Sequence, residues 1–326
     1  MYFITGATGL VGSTILKSLA IQGKKIKILH RPQSNLSIID AIDGDIISIE
    51  GSLDDIPLLI EELKGVHTII HAAALVSFDK KDKQEIYNTN IQGTKNLVDA
   101  ALISKVNKII HISSVAAVSR KKESKIISEN TQWVESPLNS IYGKSKYLAE
   151  LEVWRGFEEG LNGFILNPSI ILGKGDWNKS SSKLIKFIHK HKNHYPKASM
   201  NFVDLRDVRD VMLKLMSKQI NGERFILNGG QCSYKELFEE TSTLLNITNI
   251  RKPISINKLK IIQKLASLKA ILTNSPSLLT KETLTSLQNP IQYDTTKIEK
   301  FIDHKFRNLQ NTLEDIVPYY IDKYRL

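Results

Sequence analysis

Tyr142 and Lys146 are two residues whose types and spacing could carry out proton transfer. They lie four positions apart in a segment with a helical pattern, so their side chains share one helix face. A phenol with a pKa of about 10 is a poor acid or base at neutral pH. A neighbouring ammonium group lowers that pKa because it stabilises the phenolate. The pair is therefore predicted to give a proton to a carbonyl oxygen, or to remove one from an alcohol.

A second run with chemical meaning lies near the N-terminus, from Thr5 to Gly12. It places Gly6, Gly9 and Gly12 between a short apolar strand and a helical pattern. Glycine allows a positive φ and lets the backbone approach a pyrophosphate closely. The helix N-terminus adds free N–H donors and the positive end of its dipole. The run predicts a site for the phosphates of a dinucleotide, and this site includes Thr8, Leu10 and Val11.

The end of the second predicted strand indicates which dinucleotide binds. A carboxylate about 20 residues after the glycine run typically binds the adenosine ribose of NAD. Here the strand ends with Leu29, His30 and Arg31, without a carboxylate. The guanidinium group of Arg31 suits a 2′-phosphate, so the sequence favours NADP over NAD. The alternative is that Arg31 is an ordinary surface arginine at a strand end.

The elements that must position these residues alternate along the first half of the chain. Strands are predicted at residues 2–5, Lys25–Leu29, Ile46–Ile49, Thr68–His71, Lys108–Ile112 and Asn162–Leu166, and helical patterns separate them. Such alternation implies right-handed crossovers and a parallel sheet that is covered on both faces. The fold class is therefore α/β, a Rossmann-type doubly wound sheet with ligand sites at the carboxyl ends of the strands.

The alternation weakens after residue 168, which suggests two parts in this chain of 326 residues. We expect a dinucleotide-binding domain over residues 1–168, with returns to its sheet near 201–216 and 225–245. The remainder of 169–326 is expected to form a smaller, mostly helical and discontinuous substrate-binding lobe. Two insertions of that lobe are predicted at residues 177–194 and 251–281.

Composition limits the remaining classes of function. The chain has 45 Lys and Arg against 34 Asp and Glu, a net charge of +11, but the basic residues are scattered. Without a nucleic-acid-binding motif, we expect no nucleic-acid partner. The single Cys232, the absence of an 18-residue apolar run and the early first strand predict a cytoplasmic protein. No ligand set for a metal is expected, because His189 and its neighbouring histidines lack a nearby carboxylate or thiolate.

Residues 257–273 have a helical apolar stripe within a basic region. From Arg251 to Lys281 there are seven basic residues and no acidic one. Contact with a membrane surface is one interpretation of this pattern. A lobe helix that packs over the substrate pocket is the interpretation that we favour.

Taken together, these motifs resemble those of the extended short-chain dehydrogenase/reductases, the NAD-dependent epimerase/dehydratase family. The resemblance covers essentially the whole chain, and the segments that carry it are Thr5–Gly12, His71–Ala74, Asn90–Thr94, His111–Ser114, Tyr142–Lys146, Asn167–Ser169 and Tyr293–Lys297. One departure is the run Gly51-Ser52-Leu53, where the family often has Gly-Asp-Leu near the adenine.

The resemblance implies roles for particular residues. Ser114 would complete a catalytic triad with Tyr142 and Lys146, and Ser113 is the alternative serine. The cofactor would lie along Ala72 and Ala73, and Asn90 would support the active site. Pro168 and Ser169 would lie beside the nicotinamide, where Lys146 would also bind the ribose. A homodimer through the Tyr142 helix is common in the family.

The sequence also separates the reactions of that family. Sugar dehydratases have an Asp-Glu pair soon after the serine, where this chain has Val115-Ala116-Ala117. Nucleotide-sugar epimerases usually have an arginine before a late strand, where this chain has Met200 to Asp204. The apolar run Ala74 to Phe78 favours a less polar small-molecule substrate. We therefore expect a carbonyl/alcohol oxidoreductase that resembles the dihydroflavonol-reductase and 3-beta-hydroxysteroid-dehydrogenase branch. A sugar or nucleotide-sugar epimerase with retained cofactor is the second hypothesis, and a non-catalytic cofactor-binding regulator is the third.

Overall fold

A seven-stranded parallel sheet forms the centre of the molecule. The computed structural model describes residues 1–77, 79–118, 126–178, 180–190, 194–247, 252–263, 281–288 and 291–325. The strands of the main sheet are β1 (Tyr2–Thr5), β2 (Ile26–His30), β3 (Ile46–Glu50), β4 (Thr68–His71), β5 (Lys108–Ile112), β7 (Asn162–Pro168) and β11 (Asn221–Leu227). Their order is β11-β7-β5-β4-β1-β2-β3.

The strand order reverses between β1 and β4. The chain runs from β1 outward to β3 and then returns to the other side of β1, where Thr5 pairs in register with His71. A parallel sheet of this kind opens a crevice at the carboxyl ends of the strands at its switch point. The predicted doubly wound α/β fold is confirmed.

Helices cover both faces of the main sheet. The α-helices of the described residues, several of which lie away from this sheet, are α1 (Leu10–Ile21), α2 (Ser37–Asp40), α3 (Ile56–Glu62), α4 (Lys83–Tyr87), α5 (Gly93–Ile103), α6 (Ile141–Glu158), α7 (Lys183–Lys190), α8 (Leu205–Met216), α9 (Tyr234–Leu244), α10 (residues 256–263), α11 (Lys281–Gln288), α12 (Thr296–Ile302) and α13 (Leu309–Tyr324). One face buries Leu16 of α1 with Val211 of α8. The other buries Leu59 of α3, Leu97 of α5 and Val153 of α6.

The region between α4 and α5 contains a π-helical turn at Asn88–Gln92. This wider turn separates α4 from α5. The turn buries Asn90, one of the predicted site residues. Turns of this type often occur at functional sites.

The lobe is built around smaller sheets and a separate apolar core. Its strands are β8 (Ile170–Leu172), β10 (Ser199–Asp204) and β12 (Gly230–Ser233) in one sheet, β9 (His194–Pro196) with β13 (Lys252–Ile254), and β6 (Ile126–Ile127) with β14 (Gln292–Tyr293). The lobe core joins Ile188 of α7, Phe238 of α9 and Val317 of α13.

The two segments that we expected to return to the main sheet are divided differently in the structure. From residues 201–216, helix α8 packs on the main sheet, but β10 pairs with β8 and β12 in the lobe. From residues 225–245, β11 joins the main sheet, while β12 and α9 belong to the lobe. The first segment therefore supplies a helix that packs on the main sheet, and the second supplies a strand of that sheet.

The segment 257–273 is described as far as residue 263, within α10, and residues 264–273 lie outside the described residues. Leu259 of α10 is buried with Leu284 and Leu287, whereas Ile261 and Ile262 are exposed. At least one apolar position of the predicted stripe thus packs inside the lobe. Among the helices of the described residues, none is long and apolar enough to cross a membrane.

Candidate active site

The hydroxyl groups of Ser114 and Tyr142 are hydrogen-bonded to each other. Ser114 follows β5 and caps a short 3₁₀ turn, where its Oγ accepts from the Ala116 N–H at 3.1 Å. Tyr142 lies in the first turn of α6, which Ser140 caps by accepting from the Gly143 N–H at 2.8 Å. Two capped turns therefore bring a strand-end serine and a helical tyrosine together.

Gly143 makes this approach sterically feasible. A Cβ atom at this position would lie 2.6 Å from the Ala116 carbonyl oxygen, far inside normal contact distance. Any larger side chain would push the start of α6 away from the turn that carries Ser114. The run Tyr142-Gly143 is visible in the sequence, but the requirement for glycine depends on a contact with residues about 27 positions earlier, which the sequence alone does not show.

Ser113 and Ser114 have different partners. The Ser113 hydroxyl donates to the buried carboxylate of Glu150, which also accepts from Asn167 Nδ2 at 2.6 Å. A guanidinium nitrogen of Arg224 lies 3.4 Å from the second Glu150 oxygen. Burial raises the pKa of Glu150, and the hydrogen bond from Ser113 and the Arg224 charge oppose that rise. Ser114 is thus the serine that contacts the tyrosine.

Lys146 is 1% exposed and is directed at β5. Its Nζ donates to the Ile112 carbonyl oxygen at 2.9 Å and lies 3.2 Å from His111 Nε2. Burial lowers the pKa of Lys146 to about 8, although Glu150 opposes this. Burial also raises the pKa of Tyr142 to about 12, against a lowering by the bond to Ser114. Burial therefore outweighs the predicted lowering of the tyrosine pKa by the ammonium group.

A buried histidine network lies beneath the crevice, and the sequence analysis did not assign it a role. His71 Nδ1 is 2.7 Å from Thr5 Oγ1, and His71 Nε2 is 2.9 Å from Thr94 Oγ1. The Thr94 hydroxyl donates to the Asn90 carbonyl oxygen at 2.6 Å, so Nε2 must be the protonated nitrogen. Burial, then the Lys146 charge, lowers the pKa of His71 to about 3.

Asn90 connects α6 to the segment after β4. Its amide nitrogen donates to Ser145 Oγ at 2.9 Å and to the Leu75 carbonyl oxygen at 3.0 Å. Its amide oxygen accepts from the Leu75 N–H at 2.8 Å. The side chain thus fixes the backbone that includes Ala72 and Ala73 relative to the helix that carries Tyr142.

The glycine run fits the phosphates of a dinucleotide. Gly6 has a φ of +73°, and a Cβ there would lie 2.6 Å from the Ala72 carbonyl carbon and the Ala73 nitrogen. A Cβ at Gly12 would overlap the Gly6 carbonyl oxygen. Helix α1 begins at Leu10 with no side-chain cap and no acidic residue in its first turn. Its N–H groups, including that of Val11, are therefore suited to an anion.

The remaining predicted site residues lie at the same edge of the sheet. Arg31 follows β2 and is exposed, and within the described residues its side chain makes no hydrogen bond or ion pair. Pro168 ends β7, and the Ser169 N–H donates to the Leu227 carbonyl oxygen at 2.9 Å. The described part of the chain has no group of three or more His, Cys, Asp or Glu side chains that could hold a metal ion.

Comparisons with known proteins show which family this chain resembles in sequence and in fold. The sequence model of the NAD dependent epimerase/dehydratase family matches residues 2–228. Sterol demethylase protein B of Methylococcus capsulatus is 30% identical over 240 residues, which cover 72% of each chain. A Synechocystis protein described as a dihydroflavonol 4-reductase is 27% identical over 252 residues, 76% of this chain and 73% of that protein. The crystal structure of gox2253 superposes with a TM-score of 0.83 at 28% identity, covering 100% of this chain and 99% of the other.

The chain belongs to the NAD-dependent epimerase/dehydratase family. It is an enzyme of the NAD(P)-dependent oxidoreductase class, and the predicted family resemblance is confirmed. Reductase chemistry and epimerase or dehydratase chemistry both fit this family and fold.

Replacing Gly143 with Ala should separate the tyrosine from the serine. The new methyl group would meet the Ala116 carbonyl oxygen at 2.6 Å, so the start of α6 must shift. We expect turnover to fall ~10-fold to 100-fold, because small misplacements of catalytic groups are costly, and stability to fall by about 1–3 kcal/mol. Glu158→Ala, an exposed change near the end of α6, should leave both unchanged. Unaltered turnover in Gly143→Ala would contradict the role given to this contact.

The buried histidines should make the protein sensitive to acid. The folded chain keeps His71 neutral down to about pH 3, whereas its ordinary pKa is 6.5. The unfolded chain therefore binds a proton that the folded chain rejects, and the free energy of unfolding should fall as the pH drops below 6.5. The expected slope is about 1.4 kcal/mol per pH unit for each such histidine. Denaturant titrations from pH 7 to 5 should show a smaller slope in His71→Asn than in the exposed control His67→Gln. Equal slopes in both variants would argue against this origin of the acid sensitivity.

Proposed function

We propose that this enzyme catalyses reversible hydride transfer between NADP(H) and a carbonyl or alcohol group on a mostly apolar small molecule. The observation that carries the proposal is the hydroxyl pair of Ser114 and Tyr142. The pair lies at the carboxyl edge of the sheet, beside the glycine run that suits dinucleotide phosphates. Main-sheet residues would bind the cofactor, and lobe residues would contact the substrate.

In this proposal, each residue of the triad has one task. Ser114 holds the substrate oxygen by a hydrogen bond, and Tyr142 gives that oxygen a proton in reduction or removes it in oxidation. Lys146 keeps a positive charge close to the oxygen that develops negative charge. The nicotinamide cofactor supplies or accepts the hydride when it is bound. Because burial keeps the Tyr142 pKa at about 12, the phenol remains protonated at neutral pH, which suits reduction.

The surroundings of the site favour a substrate with little charge. Val76 lies after the end of β4 and is 53% exposed, and Ile170 begins β8, two residues after the end of β7, and is 41% exposed. Strands β4 and β7 flank β5, so both apolar side chains border the edge that carries Ser114. The relatives named for a sterol demethylase protein and a dihydroflavonol 4-reductase support a ring-containing alcohol or ketone.

A nucleotide-sugar substrate would need a cation for its phosphates. Arg206 is the arginine nearest in sequence to the position where such epimerases have one. It is already paired with Asp204 at 2.6 Å and with Asp315 at 3.3 Å. Because the Arg206 guanidinium group is already paired with two carboxylates, it is not available for substrate phosphates. This favours the oxidoreductase proposal over the epimerase.

Tyr142→Phe should abolish turnover and leave cofactor binding intact. The wild-type enzyme with NADPH should reduce members of a panel of ring-containing ketones, with one NADPH consumed per product. Tyr147→Phe is the matched control, because that ring stacks on Trp133 at 4.4 Å and the change keeps the stack. Undiminished reduction by Tyr142→Phe would exclude this tyrosine as the acid. Product formed without net NADPH oxidation would identify an epimerase instead.

The NADP preference is proposed from Arg31, which is exposed beside the glycine run. Arg31→Ala should weaken NADPH binding ~10-fold to 100-fold, because a charge-assisted hydrogen bond to the 2′-phosphate is lost. NADH binding should change little, and both affinities can be measured by fluorescence titration. Arg325→Ala, a change near the C-terminus, is the control. Equal losses for the two cofactors would argue that Arg31 does not contact the 2′-phosphate.

A homodimer through α6 also belongs to the proposal. Leu151 of α6 and Ile103 at the end of α5 are large apolar side chains with high exposure, 44% and 61%. Two neighbouring helices with exposed apolar residues are suited to pairing with a second copy of the chain.

A further inference from the structure

One face of α6 carries Tyr142, Lys146 and Glu150 at intervals of four residues. At this spacing, the Glu150 carboxylate could pair with the ammonium group of Lys146 and neutralise it. The structure shows other partners for the carboxylate, because Ser113 and Asn167 donate to one oxygen and Arg224 lies against the other. The negative charge on this helix face is therefore held by groups other than the lysine.

Among the described residues, the hydrogen-bond acceptors of Lys146 are both neutral. Within the described residues, Lys146 forms no ion pair, and its two hydrogen-bond partners are the Ile112 carbonyl oxygen and His111 Nε2. An ammonium group can only donate, so Nε2 of His111 must be unprotonated and its ring proton must lie on Nδ1. His111 Nδ1 is buried and has no hydrogen-bond partner in the part of the chain that the structure describes. A buried N–H without a partner costs free energy, so this histidine is not explained by its own hydrogen bonding.

We infer that His111 is a positioning residue for Lys146, a neutral acceptor that holds the buried ammonium group without cancelling its charge. The inference rests on the proposed function, in which that charge acts on the oxygen that receives the proton from Tyr142. A carboxylate at this position would hold the lysine equally well but would remove its electrostatic effect.

Neighbouring groups keep the acceptor neutral. The titratable and charged groups around Lys146 are Tyr142 and Glu150 on α6, His111 on β5 and His71 on β4, with Arg224 of β11 behind Glu150. The His71 and His111 rings lie 5.0 Å apart. Burial, the Lys146 charge and His71 together lower the pKa of His111 well below its ordinary value. The imidazole therefore stays an acceptor over the whole working range.

The test compares two replacements of His111. His111→Phe keeps a ring but removes the acceptor, and His111→Gln keeps an acceptor on a neutral side chain. In protein labelled with ¹³C at lysine Cε, the Lys146 signal is assigned with Lys146→Arg and titrated with pH. The wild-type signal should titrate at about pH 8. We expect a fall of about one pKa unit in His111→Phe, because a hydrogen bond to the charged form is lost, and nearly wild-type titration in His111→Gln.

A second measurement, the pH dependence of turnover, uses the same variants. With the ketone reduction of the proposed function, activity should fall at alkaline pH as Lys146 loses its proton, and His111→Phe should move this fall about one pH unit lower. His111→Gln should restore the wild-type profile, which a merely structural role would not predict. His304→Phe is a control at a partly buried histidine that pairs with the buried Asp207 outside the site, and its profile should match the wild type.

The outcomes are distinct. An unchanged Lys146 titration in His111→Phe overturns the inference, as does a His111→Gln titration equal to that of His111→Phe. If His111→Phe does not fold, His111→Asn takes its place, because the shorter amide cannot reach the ammonium group and should give the same downward shift. If the wild-type protein reduces no ketone, the proposed function fails, while the NMR titration still decides the role of His111.

Discussion

The burial of the Lys146 ammonium group is the constraint on which the active-site side of this fold depends. A charge that is removed from water must be compensated by hydrogen bonds or by opposite charge. Here the compensation comes from the Ile112 carbonyl oxygen and from a neutral imidazole. Because β4 and β5 pair in register at His71 and His111, the strands below the lysine present uncharged polar rings at the required depth.

The same constraint explains the arrangement of the negative charge. Glu150 lies one helical turn beyond the lysine, and its second oxygen faces Arg224 of the edge strand β11, 74 residues away in the chain. This partner allows a buried carboxylate beside a buried ammonium group without direct neutralisation. The edge strand therefore contributes to the electrostatics of the site, although it carries none of the triad residues.

Local patterns were enough to predict the fold and the main motifs. The glycines between a strand and a helix, and the tyrosine four residues before a lysine, are local patterns. Each can be recognised because its residues lie within a few positions of one another. The different partners of Ser113 and Ser114 were not predictable in this way. The partner of Ser113 is Glu150, which also binds Asn167, and both residues are distant from Ser113 in sequence. The sheet that β10 and β11 each join was not predictable for a similar reason, since it depends on partner strands that are distant in the chain, β8 and β12 for β10 and β7 for β11. The π-helical turn that buries Asn90 left no signal in the helical pattern.

In the proposed function, the residues of proton transfer and the residues that contact the substrate lie in different parts of the molecule. Ser114, Tyr142 and Lys146 are fixed by β5, α6 and the contact of Gly143 with Ala116, all within the main-sheet part of the molecule. Val76 lies instead in a segment that follows the end of β4, and Ile170 begins β8 of the smaller sheet, so both side chains can change without disturbing the main sheet. A proton and hydride transfer site of this kind can therefore accept different substrates through changes at its border and in the lobe, which is why the family fold alone does not specify the substrate. In the proposed function, the exposed Val76 and Ile170 and the ion-paired Arg206 are the features that favour an uncharged substrate with a ring system.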